Sequence, residues 1–182
     1  MLFRAFPQIP GAASSEPGGA LFVPRADQGD GRHDNPDEYG ALYVSRVPQS
    51  PVAELLREYV GRGVTARTLL REGFPIALAA FVDPDVPVLD LDDPANLVAR
   101  GLRPSRVATR QRERTRPIAL GLYREGHAGF EWWSTIEASW INVTLFADRA
   151  LGALRVAGEP EVLTTSHPIV REAAEAVGVL LE

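Results

Sequence analysis

The chain of 182 residues holds 45% hydrophobic and 24% charged residues, the balance of one globular domain and not of a disordered segment. It has no cysteine, which excludes disulfides, cysteine-bound metals and a thiol nucleophile, and its 19 basic residues are all arginine, which excludes a Schiff-base lysine and the lysine of a Walker A loop. The net charge of −5 argues against nucleic-acid binding by the chain as a whole.

The first part of the chain is rich in loops and is followed by a strand and a helix. Residues 7–40 concentrate glycine, proline, asparagine and aspartate, which favour turns, and so long a loop is either functional or disordered. Residues 41–45 predict a short strand. Ser50 and Pro51 suit a helix N-cap and first position, and a helix over 51–60 is predicted by apolar residues at helical spacing, namely Val52, Leu55, Leu56, Tyr59 and Val60.

The remaining elements mix strands and helices without a regular βαβ alternation. Asp93 precedes a short helix that Gly101 stops. Further helices are predicted over 117–124 and 168–181, and strands over 75–82, 86–91, 128–132, 140–146 and part of 152–163. The pattern predicts an α+β fold, organised as one domain over 1–182 with a C-terminal helix at 168–181.

Targeting and metal signals are absent from the sequence. The amino-terminal residues lack a basic leader followed by an apolar run, and no stretch reaches about 18 apolar residues, so we expect a cytoplasmic protein without signal peptide or membrane span. His33, His127 and His167 are far apart and have no ligand spacing, so no metal site is expected.

Three residues at intervals of 11, Arg32, Tyr43 and Glu54, form the candidate site together with Ser134. An arginine in a glycine-rich loop offers a fork of donors suited to a pyrophosphate, and a tyrosine on a strand offers a face for a planar ring. Glu54 lies opposite the apolar face of the predicted helix, where a solvated helix carboxylate is the simpler interpretation.

The order and spacing of several motifs resemble the RES domain family, which is named for its arginine, glutamate and serine. The likeness covers roughly residues 3–150. The segments that carry it are Phe3-Arg4-Ala5-Phe6, Gly31-Arg32, Ala41-Leu42-Tyr43-Val44, Val52-Ala53-Glu54, Leu89-Asp90-Leu91, Asp93-Pro94-Ala95-Asn96-Leu97, Trp133-Ser134 and Asn142-Val143-Thr144-Leu145-Phe146. One departure is that the family usually has an aromatic residue and then asparagine directly after the loop arginine, whereas Arg32 is followed by His33-Asp34-Asn35.

The resemblance implies a fold similar to the ADP-ribosyltransferases and a bacterial toxin that depletes NAD⁺ by breaking its nicotinamide–ribose bond, with water or inorganic phosphate as acceptor and no other cofactor. It implies Glu54, Arg32 and Ser134 as catalytic residues. Contacts to NAD⁺ would come from Arg4, Arg32, Tyr43, Ser134 and Asn142. The implied partner is an antitoxin with a helix-turn-helix (Xre/Cro-like) domain, which neutralises a toxin that is commonly dimeric.

Two other functions remain open at this point. The same pocket could transfer ADP-ribose to a macromolecule, or the chain could be a non-catalytic RES-like module that binds a nucleotide or a partner, an alternative kept open by the displaced Asn35.

The arginine-dense segment 100–116 contains seven arginines and one carboxylate, Glu113. It predicts either pairing within the domain or dimer, or a docking surface for an acidic protein partner or a second protomer.

Overall fold

The computed structural model describes residues 1–182. Helices are α1 Gln49–Leu56, α2 Pro94–Ala99, α3 Pro104–Val107, α4 Arg112–Arg124, α5 Ala147–Ala150 and α6 Pro168–Val177. Strands are β1 Leu2–Pro7, β2 Ala41–Ser45, β3 Gly63–Val64, β4 Leu70–Arg71, β5 Phe74–Val82, β6 Val88–Asp90, β7 Gly129–Trp133, β8 Ile141–Phe146, β9 Arg155–Val156, β10 Glu161–Val162 and β11 Leu180–Leu181.

The chain forms two compact units built from interleaved segments. Unit 1 comprises Met1–Phe22, Ser45–Val82 and Arg155–Glu182, and unit 2 comprises Val23–Val44 and Asp83–Leu154. The boundaries predicted for one domain, 1–182, remain a prediction.

Unit 1 combines an antiparallel sheet with two packed helices. Strand β5 is the centre of this sheet: β1 pairs along its length, and β4, β9 and β10 pair with shorter parts of it. Helix α1 packs against α6. The apolar face of α1 is fully buried at Val52 and Leu56, so its opposite face is the one that is accessible to a ligand or to solvent.

Unit 2 carries strands in the order β2–β8–β7–β6, with β7 antiparallel to β8 and parallel to β6. Its core is a cluster of aromatic and aliphatic side chains contributed by the strands and by α2, α3 and α4, and it includes Phe130, Trp132 and Phe146. The strand predictions for residues 41–45, 128–132 and 140–146 are confirmed to within one residue at each end. The aromatic and β-branched residues that predicted these strands supply this core.

The start and end of α1 differ from the prediction. The helix begins at Gln49, after Pro48, so Ser50 is a buried residue inside the helix and not its N-cap. Pro51 is tolerated near the start of the helix, because N–H groups in the first turn have no carbonyl partner within the helix and the missing N–H of proline costs no hydrogen bond. A 3₁₀ turn at Arg57–Tyr59 follows Leu56, and this tighter turn takes Val60 off the apolar face, leaving it 57% exposed.

Two other helix predictions are wrong at one end. Helix α4 begins at Arg112, five residues before the predicted start at Pro117, because a run of good helix formers with Glu113 in the first turn extends it. Helix α6 ends at Val177, since Gly178 takes a left-handed φ of 71°. The last residues of the predicted 168–181 helix instead form β11, which pairs in parallel with β3.

Residues 152–163 form two short strands in place of one. Strands β9 and β10 both pair antiparallel with β5, and Gly158 lies between them with a φ of 79°. The short helix with Asp93 as N-cap is confirmed, as the Asp93 carboxylate accepts from the Ala95 backbone. None of the helices has both the length and the apolar character needed to cross a lipid bilayer.

Candidate active site

Residues 29–35, which we call the arginine loop, are closed by the buried carboxylate of Asp34. Its Oδ2 accepts hydrogen bonds from the backbone N–H groups of Gly29 at 3.0 Å and Gly31 at 2.6 Å, and its Oδ1 accepts from the Tyr43 hydroxyl at 2.6 Å. A carboxylate with three donors fixes an irregular backbone that has no strand or helix to satisfy its polar groups. The loop is therefore held in one conformation around Arg32.

The ring of His33 anchors the loop from the other side. It is buried edge-on against Phe130 and Trp132, at centroid distances of 4.8 Å and 5.0 Å, and its Nδ1 lies 2.8 Å from the Thr144 hydroxyl. Burial, and to a smaller extent the Arg32 charge, lowers the pKa of His33 well below 6.5, so the ring is neutral at physiological pH. The histidine thus takes an aromatic core position directly after the loop arginine.

Two side chains of helix α4 donate hydrogen bonds to backbone carbonyl groups of the arginine loop. The Thr115 hydroxyl donates to the Arg32 carbonyl, and the Arg116 guanidinium donates to the carbonyls of Gly29 and Gly31. In return, the Asn35 side chain donates to the Arg116 carbonyl at 3.2 Å. Because α4 begins at Arg112 and not at Pro117, these two residues lie in its first turns, where they can reach the loop.

Positive charge is concentrated beside Thr135. The Arg32 guanidinium carbon lies 4.5 Å from the centroid of the Trp132 ring, a cation–π contact, and Arg32 donates to the Thr135 hydroxyl at 3.4 Å. Arg110 donates to the same hydroxyl oxygen, also at 3.4 Å. Two guanidinium groups thus converge on one hydroxyl, and guanidinium groups are well suited to binding an anion such as a pyrophosphate.

Tyr43 contributes to the site through its hydroxyl as well as its ring. Besides donating to Asp34, the hydroxyl accepts from the His33 backbone at 2.9 Å, and the ring stacks on His33 at 6.1 Å with an interplanar angle of 26°. Burial and the Asp34 charge raise the pKa of Tyr43 well above 10.0, so the hydroxyl stays protonated. The sequence pattern indicates a role for the ring but not for the hydroxyl.

Ser134 and Asn142 are buried in unit 2 at the ends of β7 and β8. The Ser134 backbone donates to the Trp140 carbonyl at 2.8 Å, and its Oγ accepts from the Ile136 backbone at 3.0 Å, which leaves the hydroxyl proton to donate. Asn142 is opposite Trp132 in the strand register. Unit 2 therefore contains four of the predicted site residues: Arg32, Tyr43, Ser134 and Asn142.

Glu54 and Arg4 belong to unit 1. The Glu54 side chain is 26% exposed on the face of α1 away from Val52 and Leu56, and its Oε2 lies 2.7 Å from Arg57, one turn later. Glu54 is therefore more enclosed than a carboxylate in bulk solvent.

Arg4 lies on β1, where it donates to the Ala20 carbonyl at 2.6 Å, and burial lowers its pKa to about 10. It remains charged at neutral pH and ties the start of the loop-rich segment to the strand.

Four residues that form the site were not predicted from the sequence: His33, Asp34, Thr115 and Arg116. An aspartate in a glycine-rich loop often accepts hydrogen bonds from nearby turn backbone, which could have indicated Asp34. Thr115 and Arg116 gave no signal, because their partners are more than 80 residues away in sequence. No three histidine, aspartate or glutamate side chains converge as a metal site would require.

Comparison with known proteins identifies the class. The model of the RES domain family matches residues 2–166, and the chain belongs to that family. No curated protein sequence matches the chain.

Among solved structures, the fold is similar to that of a chain in the M. tuberculosis MbcT-MbcA toxin-antitoxin complex. The TM-score is 0.68 at 18% identity, covering 98% of this chain and 88% of that one. The predicted α+β fold is confirmed, since the chain mixes helices and strands and shares its fold with that chain.

Proposed function

We propose that the chain is the toxin of a bacterial toxin–antitoxin pair and that it depletes NAD⁺ by cleaving the nicotinamide–ribose bond. Membership of the RES family supports this function, as does a fold shared with a chain of a toxin–antitoxin complex. The observation that carries the proposal most directly is the arginine loop, in which Asp34, His33, Thr115 and Arg116 fix the backbone that bears Arg32. Such a fixed cationic loop suits the pyrophosphate of a dinucleotide.

The reaction is displacement at the C1′ carbon of the nicotinamide ribose. The bond from C1′ to the nicotinamide nitrogen breaks, the electron pair leaves with nicotinamide, and positive charge develops on the ribose. Water or inorganic phosphate then bonds to C1′, and the acceptor loses one proton to solvent. In this proposal the Glu54 carboxylate stabilises the developing charge or holds a ribose hydroxyl.

The other residues bind and orient NAD⁺. Arg32 binds the pyrophosphate, with Arg4 as a second candidate, and the Tyr43 ring stacks on the nicotinamide. Ser134 donates its remaining hydroxyl proton near the scissile bond, and Asn142 contacts the nucleotide. Each residue type suits its role without a lysine, a cysteine or a metal ion.

The proposed partner is an antitoxin with a helix-turn-helix domain, which blocks the toxin until it is removed, and the proposed assembly contains a toxin dimer. The toxin acts on the cytoplasmic NAD⁺ pool. Expression of the chain alone in a bacterial host should therefore stop growth and lower cellular NAD⁺, and coexpression with the antitoxin should restore both.

The direct test incubates the purified protein with NAD⁺ labelled in the adenylate and in the nicotinamide, with and without inorganic phosphate. Release of nicotinamide with free ADP-ribose indicates hydrolysis, and release with ADP-ribose phosphate indicates phosphorolysis. Adenylate label on protein or nucleic acid would show ADP-ribosyl transfer instead. Intact NAD⁺ at high enzyme concentration would overturn the proposal in favour of a non-catalytic module.

A further inference from the structure

The arginines of segment 100–116 divide into two groups. Four of the seven have partners within unit 2: Arg100 binds Glu125, Arg110 binds Thr135, Arg112 binds Asp30 and Arg116 binds the arginine loop. This part of the segment is explained by the fold. The ion pair between Arg112 and Asp30 is weak, since the Asp30 side chain is almost fully exposed.

Arg103, Arg106 and Arg114 form the other group. All three side chains are exposed, and they make no hydrogen bond or ion pair in the structure. No carboxylate forms an ion pair with them, although the whole chain has a net charge of −5. Two of the three, Arg106 and Arg114, line one cavity.

This cavity, which we call the α4 groove, has a volume of about 360 Å³. Its uncharged lining residues, which we call the apolar floor, are Leu102, Pro117, Ile118, Gly121 and Leu122. Its charged lining residues, which we call the rim, are Arg106, Arg114, Glu113 and the Arg100–Glu125 pair. Hydrogen bonding from Arg100 lowers the pKa of Glu125, as expected of a closed ion pair, so the rim charge available to a ligand is that of two arginines against Glu113.

We propose that the α4 groove binds an acidic peptide segment of a partner protein, with one aliphatic side chain on the apolar floor and carboxylates on Arg106 and Arg114. Guanidinium groups pair with carboxylates through two parallel hydrogen bonds, which requires donors that are not already used. An aliphatic side chain adds contact area to Ile118 and Leu102. This combination favours a peptide over a small anion, because a small anion would leave the floor in water.

A nucleic-acid ligand fits less well, because two free arginines next to Glu113 on a net-acidic chain give a weak field for a polyanion. The proposal does not depend on NAD⁺ cleavage. The groove is built by α4, by Arg106 of α3 and by the segment that follows α2, and none of the candidate catalytic residues lines it.

The test is a titration of the isotope-labelled full chain with a short synthetic peptide of alternating glutamate and leucine, followed by amide NMR. We expect shifts at Arg106, Arg114 and Ile118, and an affinity that falls as salt rises. The double variant Arg106→Glu with Arg114→Glu should weaken binding at least ~10-fold, the loss expected for two charge-assisted contacts. The matched control reverses two exposed arginines outside the groove, Arg103→Glu with Arg67→Glu, and should bind as the wild type does.

Three outcomes would overturn the proposal. The first is an absence of shifts at the groove, or equal loss of affinity in the double variant and its control. The second is a wild-type dimer in light scattering that becomes monomeric only in the groove variant, which would assign the groove to a second copy of the chain. An all-glutamate peptide that binds as tightly as the glutamate–leucine peptide would exclude the apolar floor from recognition and contradict the peptide model.

Discussion

The arginine loop and helix α1 present their candidate residues in different ways. In α1 the backbone groups form hydrogen bonds within the helix. The position of Glu54 follows from the helical period, which buries Val52 and Leu56 on the other face. In the arginine loop no regular structure exists, and the position of Arg32 depends on side chains that bind backbone groups, above all Asp34. A change in the loop should therefore alter structure and function together, whereas a change at Glu54 should alter function alone.

The largest effect on stability is expected from Asp34→Ala. The change removes the acceptor of two backbone donors and of the Tyr43 hydroxyl in a buried site. We expect a loss of about 3 kcal/mol in the free energy of unfolding, measured by urea denaturation, because buried donors are left without partners. The control variant is Asp37→Ala, which changes an exposed aspartate three residues after Asp34. It should lower the free energy of unfolding by less than about 0.5 kcal/mol. Equal losses in the two variants would show that Asp34 does not hold the loop.

A smaller effect is expected from Gly31→Ala. A Cβ atom at this position would lie 2.4 Å from the Asp34 Oδ1 atom and 2.5 Å from the Tyr43 hydroxyl, so both buried side chains would have to move. We expect a cost of about 1–3 kcal/mol and weaker NAD⁺ binding. In the same loop Gly29→Ala meets no atom within 4 Å and provides the matched control. If both variants match the wild type in thermal unfolding, the loop is looser than the hydrogen bonds indicate.

A pH dependence of stability is the smallest effect expected. Burial lowers the pKa of His33 well below 6.5. Just below pH 6.5 this histidine therefore binds a proton in the unfolded chain but stays neutral in the folded protein. The contribution of His33 to stability is complete above pH 6.5 and falls as the pH drops below that value, by at most about 1.4 kcal/mol per pH unit.

The variant His33→Phe keeps a ring between Phe130 and Trp132 but cannot titrate, so it should lose this component of the slope. Urea unfolding from pH 7 downward compares the two proteins. Identical slopes would show that His33 is protonated without cost in the folded state.

The sequence predicted the regular parts of the site better than the irregular part. Helical periodicity placed Glu54 opposite the buried face, and aromatic and β-branched residues identified the strands around Trp132 and Asn142. Periodicity carries this information because it depends on near neighbours in the chain.

The loop could not be predicted in the same way. Its conformation depends on Thr115 and Arg116, and those residues reach it because α4 starts at Arg112, in an arginine-rich stretch without an apolar period. The end of α6 was missed for a related reason: Ile169, Val170 and Ala173 fit a helical face that continues through Leu181, but Gly178 turns the chain. Contacts distant in sequence and single backbone reversals leave little trace in local patterns.

If the Glu54 charge supports NAD⁺ cleavage, removing that charge must slow the reaction, and the comparison of Glu54→Gln with Glu58→Gln tests this. The first variant keeps the size of the side chain and removes its charge, and the second does the same at an exposed residue one turn later. We predict that Glu54→Gln lowers kcat for nicotinamide release by at least ~10²-fold, the scale of losing one preorganised electrostatic group, with an unfolding free energy within about 1 kcal/mol of the wild type. Glu58→Gln should retain full turnover. A folded Glu54→Gln protein that releases nicotinamide at the wild-type rate would show that the Glu54 charge has no part in the reaction.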